Sequence, residues 1–326
     1  MIRLAHPLDL KAYGILGING RNHDYISKYN DRRFFNLVDD KLVTKTMAEA
    51  AKVSVPKLIG KVEYTGQVKN VRTLLKNKGD FVVKPARGSG GGGILVADGT
   101  DENGLRKASG KRMSWPEVSF HFNNILSGMY SLGGDGSDTA IIEERLHPHS
   151  IFKTLAFSGV PDVRVIVFRG IPLMAMLRLP TSESDGKANL HTGGVGAGVD
   201  LATGVTTYAV QHNQLIKEHP DFLTPLGGLQ LPGWEEVLSL STDIAAAVPQ
   251  LGYVGVDIVI DETRGPTLLE LNARPGIAVQ IANRRGLAPI LAELSNYETI
   301  PETAKNRVKL AKMLCQKYQS PAKKSA

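Results

Sequence analysis

The sequence has one cysteine, few aromatic residues and no long apolar run. The single cysteine, Cys315, excludes an internal disulfide and indicates a reducing compartment. Aromatic residues make up only 6% of the chain and are not interleaved with basic ones, which argues against nucleic acid as a partner. The best apolar candidate, residues 244–260, is interrupted by Pro249, Gln250 and Asp257, so we predict no membrane span. The first residues lack the apolar core of a signal peptide, and we therefore expect a cytoplasmic protein.

The net charge of +7 is concentrated at the C-terminal end. Seven basic residues and no acidic residue lie from Lys305 onward, so the 32 other basic residues balance the 32 acidic ones. A solvated helix with a frayed end explains this tail better than a nucleic-acid or lipid contact does.

Length and composition predict more than one lobe. With 326 residues, of which 42% are apolar, the chain can bury a large core. We predict an N-terminal arm over residues 1–38, a first lobe over 39–146, a second lobe over 147–300 and a basic helix and tail over 301–326. Strand-like runs separated by helical ones predict an α+β fold of small antiparallel sheets backed by helices.

Turn and cap signals predict the individual elements. A helix begins near Asp39 or Asp40, and the Val-Pro pair at 55–56 marks a later break. The other predicted elements are helices at 67–78, 115–130 and 234–248, strands at 81–84, 94–96, 139–143, 163–168 and 173–179, a polar excursion at 98–113 and a mobile glycine-rich loop at 186–204.

Three polar residues lie where two neighbouring strands should be apolar: Asp257, Glu270 and Asn272. A symmetric hairpin across the turn-rich segment between them pairs Ile260 with Thr267, and therefore Asp257 with Glu270. Asn272 lies on the same face, and the intervening leucines are assigned to the opposite, core-facing side. Facing carboxylates have Cβ atoms about 5 Å apart and need a counter-ion or a shared proton. Two carboxylates and an amide suit Mg²⁺ or Mn²⁺, and a salt-bridged or exposed sheet face is the alternative.

A glycine run follows the predicted strand that ends at Lys84. The run contains Gly88, Ser89, Gly90, Gly91 and Gly92, and with Gly93 it satisfies the spacing G-x-G-x-x-G. A strand follows the run, which argues against a dinucleotide fingerprint, and neither a Walker lysine nor kinase motifs are present. The pattern favours a flap whose backbone N–H groups close over phosphates beside Lys84, and a solvated surface hairpin is the alternative.

Further candidate residues, most of them polar, lie at predicted strand ends and in loops. Any one of them, considered alone, is more often an ordinary surface residue than part of a site. They are Glu143, Glu144, Arg145 and Leu146 at a predicted inter-lobe hinge, Asp162 and Arg164 at strand spacing, Arg178 at the end of an apolar run, and Lys187, Asn189 and His191 at the start of the second glycine loop.

Taken in order, these segments resemble the ATP-grasp superfamily over about residues 41–285, and within it the RimK-type branch, the α-L-glutamate ligases. The resemblance implies two α+β lobes that enclose ATP, with a reduced N-terminal arm in place of the family's usual preceding domain. It implies phosphate contacts from Lys41 and Lys84, with Lys45 as the alternative to Lys41, and a lid formed by the glycine run. It also implies that Glu144, Arg145 and Leu146 lie at the adenine, with Glu143 among the ATP-binding residues. Asp162 would lie at the ribose, Lys187 at the nucleotide, Arg178 and Asn189 at the reacting phosphate, and Arg274 near that phosphate or the substrate carboxylate. Asp257, Glu270 and Asn272 would bind two Mg²⁺ or Mn²⁺ ions.

The leading functional hypothesis is ATP-dependent ligation of a carboxylate to an amine through an acylphosphate. The resemblance points to glutamate or another amino acid added to a peptide or small metabolite. Two alternatives remain open: a non-catalytic ATP-binding protein that regulates or docks a partner, and a phosphotransferase that forms no amide. The sequence indicates no oligomeric state.

Overall fold

The computed structural model describes residues 7–88, 90–131 and 136–318. Within that part of the chain the protein forms two compact units. The larger unit comprises residues 7–35, 47–54 and 148–318, and the smaller unit comprises residues 36–46 and 55–147. The chain therefore enters each unit more than once. The four-segment division drawn from the sequence stays a prediction.

The N-terminal arm, residues 7–35, packs on the larger unit. It contains α1 (Pro7–Ala12), α2 (Ile18–Gly20), a π-helical turn (Arg21–Ile26), α3 (Ser27–Tyr29) and a 3₁₀ turn (Arg32–Phe34). The rings of Tyr25 and Tyr29 meet the ring of Phe168 edge-on, with centroids 5.6 and 4.7 Å apart. The arm is thus anchored by aromatic packing on a strand of the larger unit.

The smaller unit contains an antiparallel sheet with helices packed beside it. Its helices are α4 (Asn36–Asp39), the first part of α5 (Lys41–Ala50), α6 (Val71–Leu75) and α7 (Trp115–Leu126). Its strands are β1 (Leu58–Val62), β2 (Phe81–Pro85), β3 (Leu95–Asp101), β4 (Gly104–Lys107), β5 (Arg112–Ser114) and β6 (Ala140–Glu144). The strand order is β1-β6-β2-β3-β4-β5, and every pair is antiparallel.

Local capping explains where two helices of the smaller unit begin. Asp40 accepts hydrogen bonds from the backbone N–H of Leu42 at 2.9 Å and of Val43 at 3.4 Å, which caps α5. Helix α7 begins with a capping box formed by Ser114 and Glu117. The core of this unit lies between α7 and the sheet and includes Phe81, Leu105, Val118, Phe122, Ile125 and Ile142, all fully buried.

The larger unit contains a second antiparallel sheet. Its strands are β7 (Asp162–Phe168), β8 (Ile171–Leu179), β9 (Val195–Val199), β10 (Thr206–Gln211), β11 (Gln214–Ile216), β12 (Tyr253–Asp261) and β13 (Gly265–Asn272). Its helices are α8 (Trp234–Ala247), α9 (Val279–Ala282), α10 (Ala288–Ser295) and α11 (Ala304–Lys317). The strand order is β11-β10-β9-β8-β7-β12-β13, so β12 lies between β7 and β13.

The β12–β13 hairpin confirms one predicted pairing and corrects another. Asp257 lies opposite Glu270 as predicted, but Ile260 pairs with Pro266 and not with Thr267. The turn is one residue shorter than in the symmetric hairpin. A bulge on β13 compensates for this, because Leu269 has no partner on β12 between the pairs Asp257–Glu270 and Ile258–Leu268. The regular alternation predicted for β13 is broken at the bulge, where the half-buried Leu269 and Glu270 are consecutive.

Several other elements differ from the sequence predictions. The excursion at 98–113 contains β4 and β5, and the loop at 186–204 contains β9, which is buried throughout. The helix predicted at 67–78 is a 3₁₀ turn followed by the short α6, and the helix predicted at 115–130 ends at Leu126. Among the described residues no helix combines the length and the apolar character that a membrane span requires.

Candidate functional site

The smaller unit buries a carboxylate between two lysines. The Lys45 Nζ lies 2.8 Å from Glu143 Oε1, and the Lys84 Nζ lies 2.5 Å from Glu143 Oε2. The three side chains are only 4–8% exposed. Lys84 on β2 pairs with Ile141, two residues before Glu143 on β6, so the diagonal neighbours of the two strands meet. We call Lys45, Lys84 and Glu143 the lysine–glutamate cluster.

The electrostatics of this cluster keep Glu143 ionised. Burial alone would raise the pKa of Glu143, but the charges of Lys84 and Lys45 outweigh burial and lower that pKa. Lys45 also donates a hydrogen bond to the Pro56 carbonyl. Two cations and one anion leave the cluster with one excess positive charge, which suits an anionic ligand.

Lys41 lies beside the glycine run and not in this cluster. Its Nζ donates to the Gly88 carbonyl at 2.6 Å. The sequence left open whether Lys41 or Lys45 contacts phosphate, and the structure places Lys45 in the cluster with Lys84. The spacing of four residues along α5 places both lysines on one helix face, so the sequence could not distinguish between them.

The glycine run forms an exposed turn, as the flap hypothesis requires. Gly90, Gly91 and Gly92 are exposed, and Gly90 and Gly91 have positive φ of 62° and 79°. The carbonyl of Gly93 lies 3.1 Å from Nε2 of His121 on α7, which fixes one end of the run. Ser89, predicted to bind phosphate, lies outside the described residues.

The predicted adenine residues lie at the end of β6 and immediately after it. Glu144 is the last residue of β6, and its backbone N–H donates to the Lys57 carbonyl at 3.0 Å. Arg145 Nη1 lies 2.5 Å from Asp98 Oδ1, and Leu146 is buried. The structure therefore fixes Arg145 by an ion pair within the smaller unit.

The larger unit brings two acids and two arginines together on adjacent strands. Asp162 lies opposite Arg178, and Asp257 lies opposite Arg164. Arg178 Nε lies 2.6 Å from Asp162 Oδ1, and its Nη2 lies 2.9 Å from Asp257 Oδ2. Arg164 donates two hydrogen bonds to Asp257, from Nε to Oδ1 at 2.6 Å and from Nη2 to Oδ2 at 2.5 Å. We call these four residues the acid–arginine cluster.

The two acids of this cluster have opposite pKa shifts. Burial raises the pKa of Asp162 to about 6, although Arg178 opposes that change. Burial also acts on Asp257, but Arg164 and Arg178 outweigh it and lower the pKa of Asp257 to about 2. Asp257 is therefore a fully ionised carboxylate at neutral pH.

Arg164 is the member of this cluster to which the sequence analysis assigned no role. The Asp-Val-Arg spacing placed Arg164 on the same strand face as Asp162, but it gave no information about the strand that faces it. The expected counter-ion of Asp257 is supplied by Arg164 and Arg178, and Glu270 lies opposite Asp257 on β13.

The donor types around Asp257 suit a hard divalent cation. Asp257, Glu270 and Asn272 offer carboxylate and amide oxygens on two paired strands. Asp257 accepts two hydrogen bonds from Arg164 and one from Asn272 Nδ2, the last at 3.2 Å, and it forms an ion pair with Arg178 at 2.9 Å. Within the described chain Oδ1 accepts only from Arg164, so this carboxylate oxygen keeps a lone pair that suits a Mg²⁺ ion. Among the described residues no group of three His, Cys, Asp or Glu side chains is arranged to hold a metal.

Three other predicted residues form no hydrogen bond or ion pair with the acid–arginine cluster in the part of the chain that the structure describes. Asn189 Oδ1 accepts from the His191 backbone N–H at 3.0 Å, which caps a short 3₁₀ turn, and Lys187 is exposed. Arg274 is exposed, and its guanidinium lies over the Phe35 ring at 5.2 Å from the centroid.

Comparison with known proteins identifies the family. A family model described as "Sugar-transfer associated ATP-grasp" matches residues 20–296, which is most of the chain. The chain belongs to this family. The match confirms the predicted ATP-grasp superfamily and α+β fold class, whereas the RimK-type branch stays a prediction. A comparison with curated proteins finds no match.

Solved structures similar to this sugar-transfer associated ATP-grasp protein have low sequence identity. One is N5-carboxyaminoimidazole synthetase from Staphylococcus aureus with ADP, at 13% identity and TM-score 0.42, covering 74% of this chain and 46% of that one. Another is the ATP-grasp ligase PsnB with a minimal precursor, at 15% identity and TM-score 0.42, covering 82% and 62%. A third is D-alanine–D-alanine ligase from Bacillus anthracis, at 12% identity and TM-score 0.40, covering 86% and 68%. The chain thus spans less than two thirds of the first two proteins.

Proposed function

We propose that the protein is an ATP-dependent carboxylate–amine ligase. A substrate carboxylate oxygen attacks the γ-phosphorus of ATP, the bond to the β,γ-bridging oxygen breaks, and its electron pair leaves with ADP. The amine then attacks the acylphosphate carbon, phosphate leaves with the C–O electron pair, and the amine loses a proton. The observation that carries the proposal is the gathering of Asp257, Glu270 and Asn272 on two paired strands of an ATP-grasp family member.

The lysine–glutamate cluster supports nucleotide binding. Lys45 and Lys84 contact the phosphates of ATP, and Glu143 holds both ammonium groups in place before the ligand arrives. The excess positive charge of the cluster attracts the triphosphate, and backbone N–H groups of Gly90, Gly91 and Gly92 close over it. Glu144, Arg145 and Leu146 contact the adenine, and Lys41 steadies the glycine run through the Gly88 carbonyl.

The larger unit supports the chemical step. Asp257, Glu270 and Asn272 would hold Mg²⁺, which neutralises the repulsion between a carboxylate and a triphosphate. Arg164 keeps Asp257 ionised and oriented. Arg178 contributes positive charge at the reacting phosphate, and Arg274 does so at the substrate.

The remaining assignments rest on the resemblance alone. They are Asp162 at the ribose, Lys187 at the nucleotide, Asn189 at the reacting phosphate, and a second metal ion beside the first.

Two indications bear on the substrates. The RimK-type resemblance favours glutamate or another amino acid joined to a peptide or small metabolite. The description of the family model refers to sugar transfer, so sugar acids and amino sugars belong among the candidates. The single buried thiol, Cys315, supports a cytoplasmic location.

The test is an ADP-release screen with acids and amines supplied in pairs, followed by mass spectrometry of the products. We expect ADP and an amide from at least one pair. Glu270→Gln should reduce turnover at least about 100-fold, because an oxygen ligand loses its charge. Asp257→Asn is a less specific test, since it also removes the counter-ion of Arg164 and Arg178. The control is Glu298→Gln, which neutralises an exposed acid of the same unit and should leave turnover unchanged.

Other outcomes would favour the alternatives. ATP binding without ADP for every pair would indicate a non-catalytic nucleotide-binding protein, and ADP without an amide would indicate phosphotransfer. Near wild-type turnover in Glu270→Gln would refute the metal assignment.

A further inference from the structure

The N-terminal arm holds the backbone on both sides of Arg274. Asn30 is buried, and its Nδ2 donates to the Ala273 carbonyl at 2.8 Å and to the Tyr253 carbonyl at 2.7 Å. Arg21 Nη1 donates to the Pro275 carbonyl at 2.6 Å. The carbonyls that flank Arg274 are therefore both bound by arm residues, which fixes the position of this loop.

The arm also orients the Arg274 side chain. Its guanidinium lies over the ring of Phe35, the last arm residue, at 5.2 Å. This contact holds the guanidinium by cation–π attraction and leaves its N–H donors without a hydrogen-bond acceptor among the described residues.

Arg21 and Arg274 carry uncompensated positive charge. In the part of the chain that the structure describes, neither arginine forms an ion pair, and the acceptors of Arg21 are the neutral oxygens of Pro275 and Asn22. Burial lowers the pKa of Arg21, Tyr253 partly opposes this, and the charge of Arg274 lowers the pKa further. Two like charges with no anion between them favour an anionic ligand.

A buried hydroxyl close to Arg21 lacks a partner. The Tyr253 Oη is fully buried and makes no hydrogen bond to any described residue. Buried polar atoms are nearly always satisfied, so this hydroxyl indicates that another group completes its surroundings.

We propose that Arg21 and Arg274 form a binding site for an oxyanion, the carboxylate or phosphate group of a substrate other than ATP. The assignment to a substrate rests on the proposed function, because Arg274 follows the predicted metal ligand Asn272 by two residues. The fork of each guanidinium presents paired N–H donors that match the oxygens of either group. On this view the arm is part of the substrate-binding machinery.

The test measures anion binding directly, without ATP or Mg²⁺. Inorganic phosphate and glutarate are titrated separately into ¹⁵N-arginine-labelled protein, and the side-chain Nε–Hε resonances are followed by NMR. We expect saturable shifts of the Arg21 and Arg274 resonances. Arg274→Ala should weaken binding of the preferred probe about tenfold, since a charged hydrogen-bond donor is lost. The probe that binds more tightly identifies the source of the oxyanion.

Arg284→Ala is the matched control. Arg284 lies over the Tyr208 ring at 5.0 Å in the same unit, so its removal deletes one charge and one cation–π contact elsewhere. We expect probe affinity to stay within twofold of wild type. Arg21→Lys keeps the charge and loses the fork, and should weaken binding severalfold. Because Arg274 is exposed, the Arg274→Ala protein should fold even if an Arg21 variant does not.

Three results would overturn the proposal: no response of the two arginine resonances, shifts that grow linearly with both probes, or equal weakening by Arg274→Ala and Arg284→Ala. The outcome is independent of the ligase screen. Saturable probe binding in a protein that forms no ADP would refute the ligase function and retain the anion site. If the protein ligates its substrates but its arginine resonances do not respond to either probe, the anion site is refuted and the ligase function is retained.

Discussion

Replacing Glu143 should destabilise the smaller unit far more than replacing either of its lysine partners. The wild-type cluster has two buried cations and one buried anion. Glu143→Gln leaves Lys45 and Lys84 facing each other with no counter-charge, at side-chain exposures of 7–8%. Removing one partner of a buried ion pair typically costs about 3–5 kcal/mol. Lys45→Met instead leaves Lys84 and Glu143 as a balanced ion pair. We therefore expect the free energy of unfolding to fall by only about 1 kcal/mol.

Urea unfolding monitored by fluorine NMR measures this difference within one unit. The two tryptophans, Trp115 and Trp234, lie in the smaller and the larger unit respectively, so 5-fluorotryptophan gives one signal for each. The urea midpoint of the Trp115 signal should fall strongly in Glu143→Gln and slightly in Lys45→Met. The urea midpoint of the Trp234 signal serves as the internal control.

The pH dependence gives a second check on Glu143. Because its folded pKa is lowered, its stabilising contribution is present above its ordinary pKa of 4.5 and is lost as pH falls through the folded value. The difference between wild type and Glu143→Gln should therefore shrink in acid. Equal losses in Glu143→Gln and Lys45→Met at neutral pH would refute the charge-balance reasoning.

Two further predictions concern local packing. A Cβ on Gly93, at φ 72°, would lie 2.5 Å from the Tyr130 ring, whereas a Cβ on Gly91, at φ 79°, would meet nothing within 4 Å. Gly93→Ala should therefore cost about 1–3 kcal/mol more than Gly91→Ala in urea unfolding, and equal costs would contradict the contact. Burial raises the pKa of the Cys315 thiol, so native protein at pH 8 should react with iodoacetamide at least about tenfold more slowly than urea-unfolded protein, and comparable rates would show that the thiol is accessible.

The hairpin shows what a sequence pattern can and cannot determine. Assuming a symmetric hairpin was sufficient to pair Asp257 with Glu270, as the structure has them. The same reasoning paired Ile260 with Thr267, because it assumed a regular ladder and could not foresee a tighter turn compensated by a bulge. A bulge depends on packing of the whole sheet, which local propensity does not encode.

The partners of Asp257 were beyond prediction for a related reason. Arg164 and Arg178 reach it because β12 lies beside β7, which in turn pairs with β8. That order joins strands about ninety residues apart. The choice of Lys45 over Lys41 likewise depended on how α5 packs beside β2 and β6, which helix periodicity alone does not specify. The motifs therefore predicted the fold and most of the charged groups, while the ion pairs required coordinates.

The arm has a consequence for how the protein is made. Asn30 bonds to residues 223 and 243 positions later in the chain, and Arg21 to one 254 positions later. At translation rates of about 5–20 residues per second, the ribosome needs roughly 12–50 s to supply those partners. Throughout that interval Asn30 and Arg21 lack these hydrogen-bond partners, so the arm is not yet fixed in its native position. A codon change near position 275 would therefore be expected to alter the protease sensitivity of the first thirty-five residues during synthesis.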